Sequence, residues 1–364
     1  METVNVSANN KNLSETLPEK RLLNVLAGKM QTPPPIWLMR QAGRYLPEYR
    51  KIRSQTTGFL ELCYNPELAC EITLQPVRRF SLDAAIIFSD ILVVPHALGQ
   101  EVWFVEGEGP KLSPLKSKSD LQNLNVSRMT EHLSPVYEAI ALVQKELPSN
   151  TALIGFSGAP WTVATYMIEG GTSREFIKTR RWAYETSTQF ARLIEILVDA
   201  TSIHLCNQIA AGAEVVQIFD SWAGILTADG FNRWVIEPTA AIVRRVREQY
   251  KNIPIIGFPR GSGRGYLEYA EKTGVSAISF DSSISLEWAA RKLQPKVPVQ
   301  GNLDSVLLLA GGVPMRTAAE HILQQLGNGS LIFNLGHGVI KETPPEHVEE
   351  LVQLVRAQPA QSRN

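Results

Sequence analysis

Eight short apolar runs recur along the chain: PIWLM (35–39), AAIIF (84–88), ALIGF (152–156), EVVQIF (214–219), IPIIGF (253–258), AISF (277–280), VPVQG (297–301) and LIFNL (331–335). Most are bounded by Gly, Pro, Asp or Ser, as strands are. Each is a near-continuous apolar block, the pattern of a parallel strand covered on both faces. Helical patterns fill the intervals at 66–80, 121–147, 174–211, 229–249, 285–293 and 315–326. Alternating strand and helix predicts an α/β fold, and eight such units predict a closed (β/α)8 TIM-type barrel in a single domain. An open doubly wound sheet is the alternative, but the first strand-to-helix turn lacks G-x-G-x-x-G. The barrel should occupy residues 18–356, with polar tails at 1–17 and 357–364 expected to be loose. The stretch 107–120, with three lysines and two prolines, reads as a surface excursion.

A chain of 364 residues that is 44% apolar can fill such a barrel, for which about 250 residues is typical. Its 36 basic and 36 acidic side chains cancel, which argues against a surface built for nucleic acid or anionic membrane. An anionic ligand must then be met by a local charge cluster. Three cysteines with no C-x-x-C spacing suit a reducing compartment. The N-terminal residues lack the apolar core of a secretory signal, and no apolar run reaches membrane-spanning length. A cytoplasmic location without a membrane or nucleic-acid partner is therefore expected.

In a barrel of this type, chemistry gathers where strands end and βα loops begin. Those positions carry Arg40-Gln41-Ala42-Gly43-Arg44, Ser89-Asp90, Ser157 to Trp161, Asp220-Ser221-Trp222, Pro259-Arg260-Gly261, Asp281, Asn302 with Asp304, and Gly336-His337-Gly338. From Arg40 to Arg53 five basic residues (Arg40, Arg44, Arg50, Lys51, Arg53) face one acid, Glu48. Arg40 and Arg44 stand four apart, so a helical turn would put both planar forks on one side, suited to carboxylates. A solvated helix face is the other reading. Asp90 interrupts an otherwise apolar stretch, where a carboxylate must be paired or hydrogen-bonded. It is either a cap on a following turn, a partner for a nearby arginine, or an acceptor for N–H donors of a ligand. His337, between two glycines, is the histidine best placed for exposure, or else an imidazole bonded to a loop carbonyl. Tyr166 and Ser221 read equally as core or capping residues.

Two further patterns are weaker. RGSGRG (260–265) resembles a phosphate cradle but lacks the Walker lysine-hydroxyl ending. His204 and Cys206 form an H-x-C pair inside an apolar helical pattern, where a core pair is the better reading than a zinc site.

Taken together, PIWLMRQAGRYLPEYR (35–50), FSDILVVPHALG (88–99), GFSGAPWTVATYMIEGG (155–171), FDSWAG (219–224), GNLD (301–304) and FNLGHGV (333–339) closely resemble the uroporphyrinogen decarboxylase family. Ser305 departs from the proline that usually follows GNLD. The resemblance implies a homodimeric (β/α)8 enzyme of porphyrin biosynthesis, working without cofactor or metal. It removes CO2 from the four acetate side chains of uroporphyrinogen III to give coproporphyrinogen III. It further implies that substrate is met by Arg40, Gln41, Arg44, Asp90, Tyr166, Ser221 and His337, with Arg53 and Phe219 as secondary contacts. Asp90, Arg40 and Tyr166 are the implied catalytic residues. The competing functions are a zinc-dependent methyltransferase of the same barrel superfamily and a non-catalytic tetrapyrrole carrier.

Overall fold

In the computed structural model, residues 19–358 are described, except Glu106. The proposed tail 1–17 and residues 359–364 of the second tail lie outside them. Among the described residues nine strands form two sheets: β1 (Ala84–Ile86), β2 (Val102–Val105), β3 (Gly109–Leu112), β4 (Ala152–Gly158), β5 (Val215–Asp220), β6 (Ile255–Pro259), β7 (Ala277–Ser279), β8 (Val299–Leu303) and β9 (Leu331–Leu335). Seven make one curled, all-parallel sheet in the order β1-β4-β5-β6-β7-β8-β9, with helices between successive strands. Seven of the eight runs expected from sequence thus become strands.

The eighth, 35–39, does not. It makes an isolated parallel bridge from Ile36 to Phe333 of β9. On its other side the Asp83 amide donates to the Ile36 carbonyl at 3.0 Å, and the Ile36 amide donates to Asp83 Oδ2 at 2.8 Å. The segment therefore lies between the sheet's two edges, but a side-chain acceptor replaces one ladder bond and the sheet is not closed by regular pairing.

Residues 107–120 also differ from expectation. Gly109–Leu112 pairs antiparallel with Val102–Val105 as a β2–β3 hairpin, because Gly107 and Gly109 supply the positive φ angles of the turn. The helical pattern at 66–80 becomes one helix, Pro66–Phe80, whereas 121–147 breaks into Lys118–Gln122, Met129–His132 and Ser134–Glu146. No helix among the described residues is long and apolar enough to cross a membrane.

Period-two alternation sorts the strand residues between two cores. Ile36, Leu38, Ala85, Leu153, Val216, Ile218, Ile278 and Val299 pack outward beneath the helices. Trp37, Met39, Ala84, Ile86, Ile154, Val215, Ile256, Phe258 and Ile332 pack together on the concave side. The helix Arg21–Leu26 adds Leu22, Val25 and Leu26 to this inner cluster, against residues such as Ala84, Ala152, Val215 and Ala277 that begin their strands. Lys20, just before it, pairs with Glu214 at 2.6 Å, immediately ahead of β5. The amino-terminal end of the sheet is thereby filled. Above it lies a glutamine layer, in which Trp37 Nε1 donates to Gln300 Oε1 at 2.9 Å and Gln300 Nε2 donates to Gln217 Oε1 at 3.1 Å. Next comes an aromatic layer of Phe156, Phe219 and Phe258, with Phe219 centred 5.6 Å from Phe156 and 6.2 Å from Phe258. Phe156 and Phe219 are only part-buried, so this layer is the floor of a cleft at the carboxyl ends of the strands.

Candidate active site

The first wall of the cleft follows the 35–39 segment. Arg40 has φ 60°, a left-handed conformation that non-glycine residues seldom adopt. The twist turns an exposed guanidinium out of a chain whose preceding residues are buried. Its alkyl chain lies across Gly338, where any Cβ would overlap Arg40 Cδ and Cγ. The Val339 amide donates to the Met39 carbonyl at 2.9 Å, joining the two loops from behind. Residues 40–46 form turns, and the helix begins only at Pro47, so the expected helical turn across Arg40 and Arg44 is corrected. The reason lies in Gln41. It is fully buried, its Nε2 donates to the Ala84 carbonyl at 3.0 Å, and its Oε1 accepts from the Leu38 amide at 3.1 Å. Both ends of the amide are thus spent tying this segment to β1, and Gln41 offers no accessible surface to a ligand.

Arg44 is exposed, and its carbonyl accepts from Arg50 at 2.8 Å. Neither Arg40 nor Arg44 forms an ion pair among the described residues. Arg53 is part-buried and donates to the Thr56 carbonyl at 3.1 Å, which directs it back toward its own helix terminus.

Asp90 follows β1. Its Oδ1 accepts from the Leu92 amide at 2.8 Å, as an acid capping the next turn would. Its Oδ2 accepts no hydrogen bond among the described residues, and part of the side chain remains open. Capping and ligand acceptance are therefore divided between its two oxygens. Burial pushes its carboxyl up to about 6, against the Leu92 N–H and the Arg40 charge. At neutral pH it is still mainly an anion.

Tyr166 comes from the helix Pro160–Glu169 after β4, its ring centred 6.5 Å from that of Trp222. Burial holds the phenol above its ordinary range, the neighbouring Trp222 opposes this, Asp90 adds to it and Arg40 opposes it. Ser221, after β5, is part-buried beside it in sequence to Trp222 and forms no side-chain hydrogen bond among the described residues. His337 follows β9. Burial first, then the Arg40 and Arg260 charges, push its imidazole down to about 3, with Asp281 opposing. It is a neutral group at physiological pH and does not add to the positive rim, as a histidine grouped with the arginines would have done.

Asp90, Arg40 and Tyr166 thus share one electrostatic neighbourhood, and Arg40 joins it to His337. Two further strand-end residues, Arg260 and Asp281, which the family resemblance did not mark as substrate contacts, reach the same neighbourhood through His337. On β6, Ile256 and Phe258 face the concave side, so the next residue in that alternation is Arg260. The glycines after it do not form a free phosphate cradle, because the Gly261 amide donates to Asp281 Oδ2 at 2.6 Å and the Gly265 amide to the Ser262 carbonyl at 2.9 Å. His204 lies buried in the helix Ser187–Ala210, its Nδ1 3.1 Å from the Tyr137 hydroxyl, as a core residue. No group of three His, Cys, Asp or Glu side chains able to hold a metal occurs among the described residues.

Residues 17–358 match the family model of uroporphyrinogen decarboxylase (URO-D). A uroporphyrinogen decarboxylase of Rhodospirillum rubrum is 53% identical over 339 residues, covering 93% of this chain and 97% of the relative. Another, of a Chelativorans species, is 52% identical over 340 residues, covering 93% and 99%. A methyltransferase from Methanosarcina mazei superposes with a TM-score of 0.76 at 20% identity, over 92% of this chain and 97% of that one. At that identity the likeness concerns the fold alone.

Proposed function

This chain belongs to the uroporphyrinogen decarboxylase family, and from that premise we propose how its cleft removes CO2 from the four acetates of uroporphyrinogen III to yield coproporphyrinogen III. The observation that carries the reading is Asp90, a recessed carboxylate with one oxygen fixed by Leu92 and the other uncommitted, beside Arg40, which forms no ion pair among the described residues. Such a site complements a flexible macrocycle with four inward N–H donors and eight peripheral carboxylates. The N–H groups converge on Asp90 Oδ2. Arg40 and Arg44 take carboxylates at the rim. Phe219 and Phe156 support the ring from the floor. Gln41 acts only by holding the segment that carries Arg40, Ser221 and Tyr166 line the β4–β5 side, and Arg53 contributes least because its guanidinium is engaged by Thr56.

Loss of CO2 from a pyrrole acetate leaves an electron pair on the side-chain carbon. If the adjacent ring carbon is first protonated, the cationic pyrrole accepts that pair as the C–C bond breaks and CO2 leaves; a second proton then converts the exocyclic methylene to the methyl group, and loss of the first proton from the ring carbon restores the pyrrole. Asp90 stabilises the cation electrostatically, a contribution typically of about 2.7–4 kcal/mol for one preorganised group. Arg40, next to both Asp90 and His337, polarises the reacting carboxylate region. A neutral His337 suits this role for its neighbour, since a third cation would compete with the pyrrolium.

The isolated bridge at Ile36 and the bond to Asp83 support reading 35–39 as the eighth member of a (β/α)8 barrel, folded as one domain. Homodimerisation and a cytoplasmic site of action come from the family resemblance. The relatives at about half identity favour the decarboxylase over a zinc-dependent methyltransferase or an inert tetrapyrrole carrier.

Anaerobic incubation of the purified protein with uroporphyrinogen III, followed by chromatography of the oxidised products, tests the proposal. Hepta-, hexa- and pentacarboxylates should appear on the way to the tetracarboxylate. An unchanged octacarboxylate would refute it, and stoichiometric zinc with thiol methylation would favour the methyltransferase.

A further inference from the structure

Arg260 is held more tightly than a surface arginine needs to be. Its amide donates to the Asp220 carbonyl at 3.0 Å and its carbonyl accepts from the Gly224 amide at 3.0 Å. The following residue, Gly261, donates to Asp281 Oδ2 at 2.6 Å. The loops after β5 and β6 approach so closely that any Cβ on Gly224 would overlap the Gly261 carbonyl. Backbone from three neighbouring strand ends therefore fixes where the Arg260 side chain begins.

The guanidinium itself is part-buried and makes no hydrogen bond or ion pair among the described residues. The acid best placed to neutralise it is Asp281, but that carboxylate is already saturated. Ser283 supplies its amide and hydroxyl to Oδ1, and Gly261 N–H and Tyr266 O–H supply Oδ2. The charges of Arg260 and Arg40 both reach His337, which lies between the loops that carry them. Arg260, next in the alternation after Ile256 and Phe258 on the concave side, therefore carries a charge that no acidic side chain pairs with directly among the described residues.

We propose that Arg260 is a further substrate ligand, which meets a peripheral carboxylate of the tetrapyrrole from the β6 side of the cleft and so helps to set the rotation of the macrocycle over Asp90. This rests on the decarboxylase reading for the identity of the carboxylate, whereas the anchoring of Arg260 and its lack of an acidic partner do not depend on that reading. Arg260 binds and orients; it does not take part in proton transfer.

The test compares wild type, Arg260→Gln and Arg260→Lys in two measurements. One is steady-state decarboxylation of uroporphyrinogen III. The other is equilibrium binding of uroporphyrin III, an oxidised octacarboxylate that does not react, followed by tryptophan quenching. Loss of one charged contact should raise KM and Kd about tenfold in Arg260→Gln, with kcat within about twofold of wild type. Arg260→Lys, which keeps the charge but loses the planar fork, should fall between, about threefold weaker. Wild-type KM and Kd in Arg260→Gln would overturn the proposal. A parallel drop in kcat with unchanged Kd would also overturn it, since that marks a structural role. Should Arg260→Gln fail to fold by circular dichroism, Arg260→Lys decides, an unchanged Kd refuting the assignment. If wild type binds uroporphyrin but does not decarboxylate, the family-based activity fails, while the Kd comparison still judges Arg260.

Discussion

Asp90 and Asp281 both stand at strand ends of the same sheet, and the fold treats them oppositely. Asp281 receives four donors, two from Ser283 and one each from Gly261 and Tyr266. Burial raises its carboxyl, but those donors outweigh burial and hold it below its ordinary range. Asp90 receives one donor, from Leu92, and burial carries it up to about 6. A carboxylate built to hold loops together has its lone pairs filled by the protein. A carboxylate built to meet a ligand is left short of donors, at a cost in stability. Asp220 makes a third case. It faces away from the cleft, takes the Thr162 hydroxyl at 2.5 Å, and is pushed by burial up to about 7. A raised carboxyl alone therefore does not mark the site; access to the cleft does.

Substitution of Asp90 should break this contrast most completely. Asp90→Ala is expected to lower kcat by about 10²–10³, the usual loss for one preorganised electrostatic group, whereas Asp90→Glu should keep some turnover. Product profiles measured side by side check this, and near-normal turnover in the alanine variant would remove Asp90 from the mechanism.

The pH dependence carries a definite sign. Because the folded Asp90 binds its proton more tightly than the unfolded chain does, its contribution to stability falls as pH rises from about 4 through about 6. Asp90→Asn should therefore melt a few degrees higher than wild type at pH 7 yet turn over far more slowly, and the gain should vanish near pH 4. In wild type, kcat/KM should decline on the acid side near pH 6 as Asp90 of the free enzyme is protonated. A limb set by His337 would instead fall near its much lower value of about 3.

A smaller effect is expected behind Arg40. Gly338→Ala places a methyl group where the Arg40 alkyl chain lies, so KM should rise about tenfold as that guanidinium is displaced. Asp281→Asn leaves the Gly261 and Tyr266 donors poorly matched and should lower unfolding free energy by about 1–3 kcal/mol, measured by denaturant titration. Arg53→Ala should matter least, with KM changed by about twofold or less, since its guanidinium is already engaged by Thr56.

Much of this site was legible from strand ends alone. Arg40, Asp90, Ser221 and His337 follow apolar runs directly, and a parallel α/β sheet brings those positions to one face. Arg260 was visible too, but the glycines after it suggested a phosphate loop. Only the pairing of Gly261 with Asp281 reveals that those amides are occupied. Gln41 shows the opposite limit. Only the family resemblance marked it as a substrate contact, and nothing local in the sequence shows that its side-chain amide is bonded to Leu38 and Ala84. The charge of His337 could not be read locally either, because it depends first on burial in the fold and then on Arg40 and Arg260, which are remote in sequence. The last helix shows the same limit at smaller scale. Thr343, Pro344 and Glu346 suggest a capping box, yet Pro344 is the N-cap, the helix runs Pro345–Arg356, and Thr343 is buried.

By itself the sequence determined the alternating strand and helix order, the parallel sheet and the face on which polar groups gather, because apolar periodicity and backbone connectivity act over a few residues at a time. The motifs also determined the family. Only the tertiary structure decided which polar atoms at that face are already satisfied and which are left for a ligand. Hydrogen-bond saturation and electrostatic neighbours join residues such as Gly261 and Asp281, or Arg40 and His337, that lie far apart along the chain.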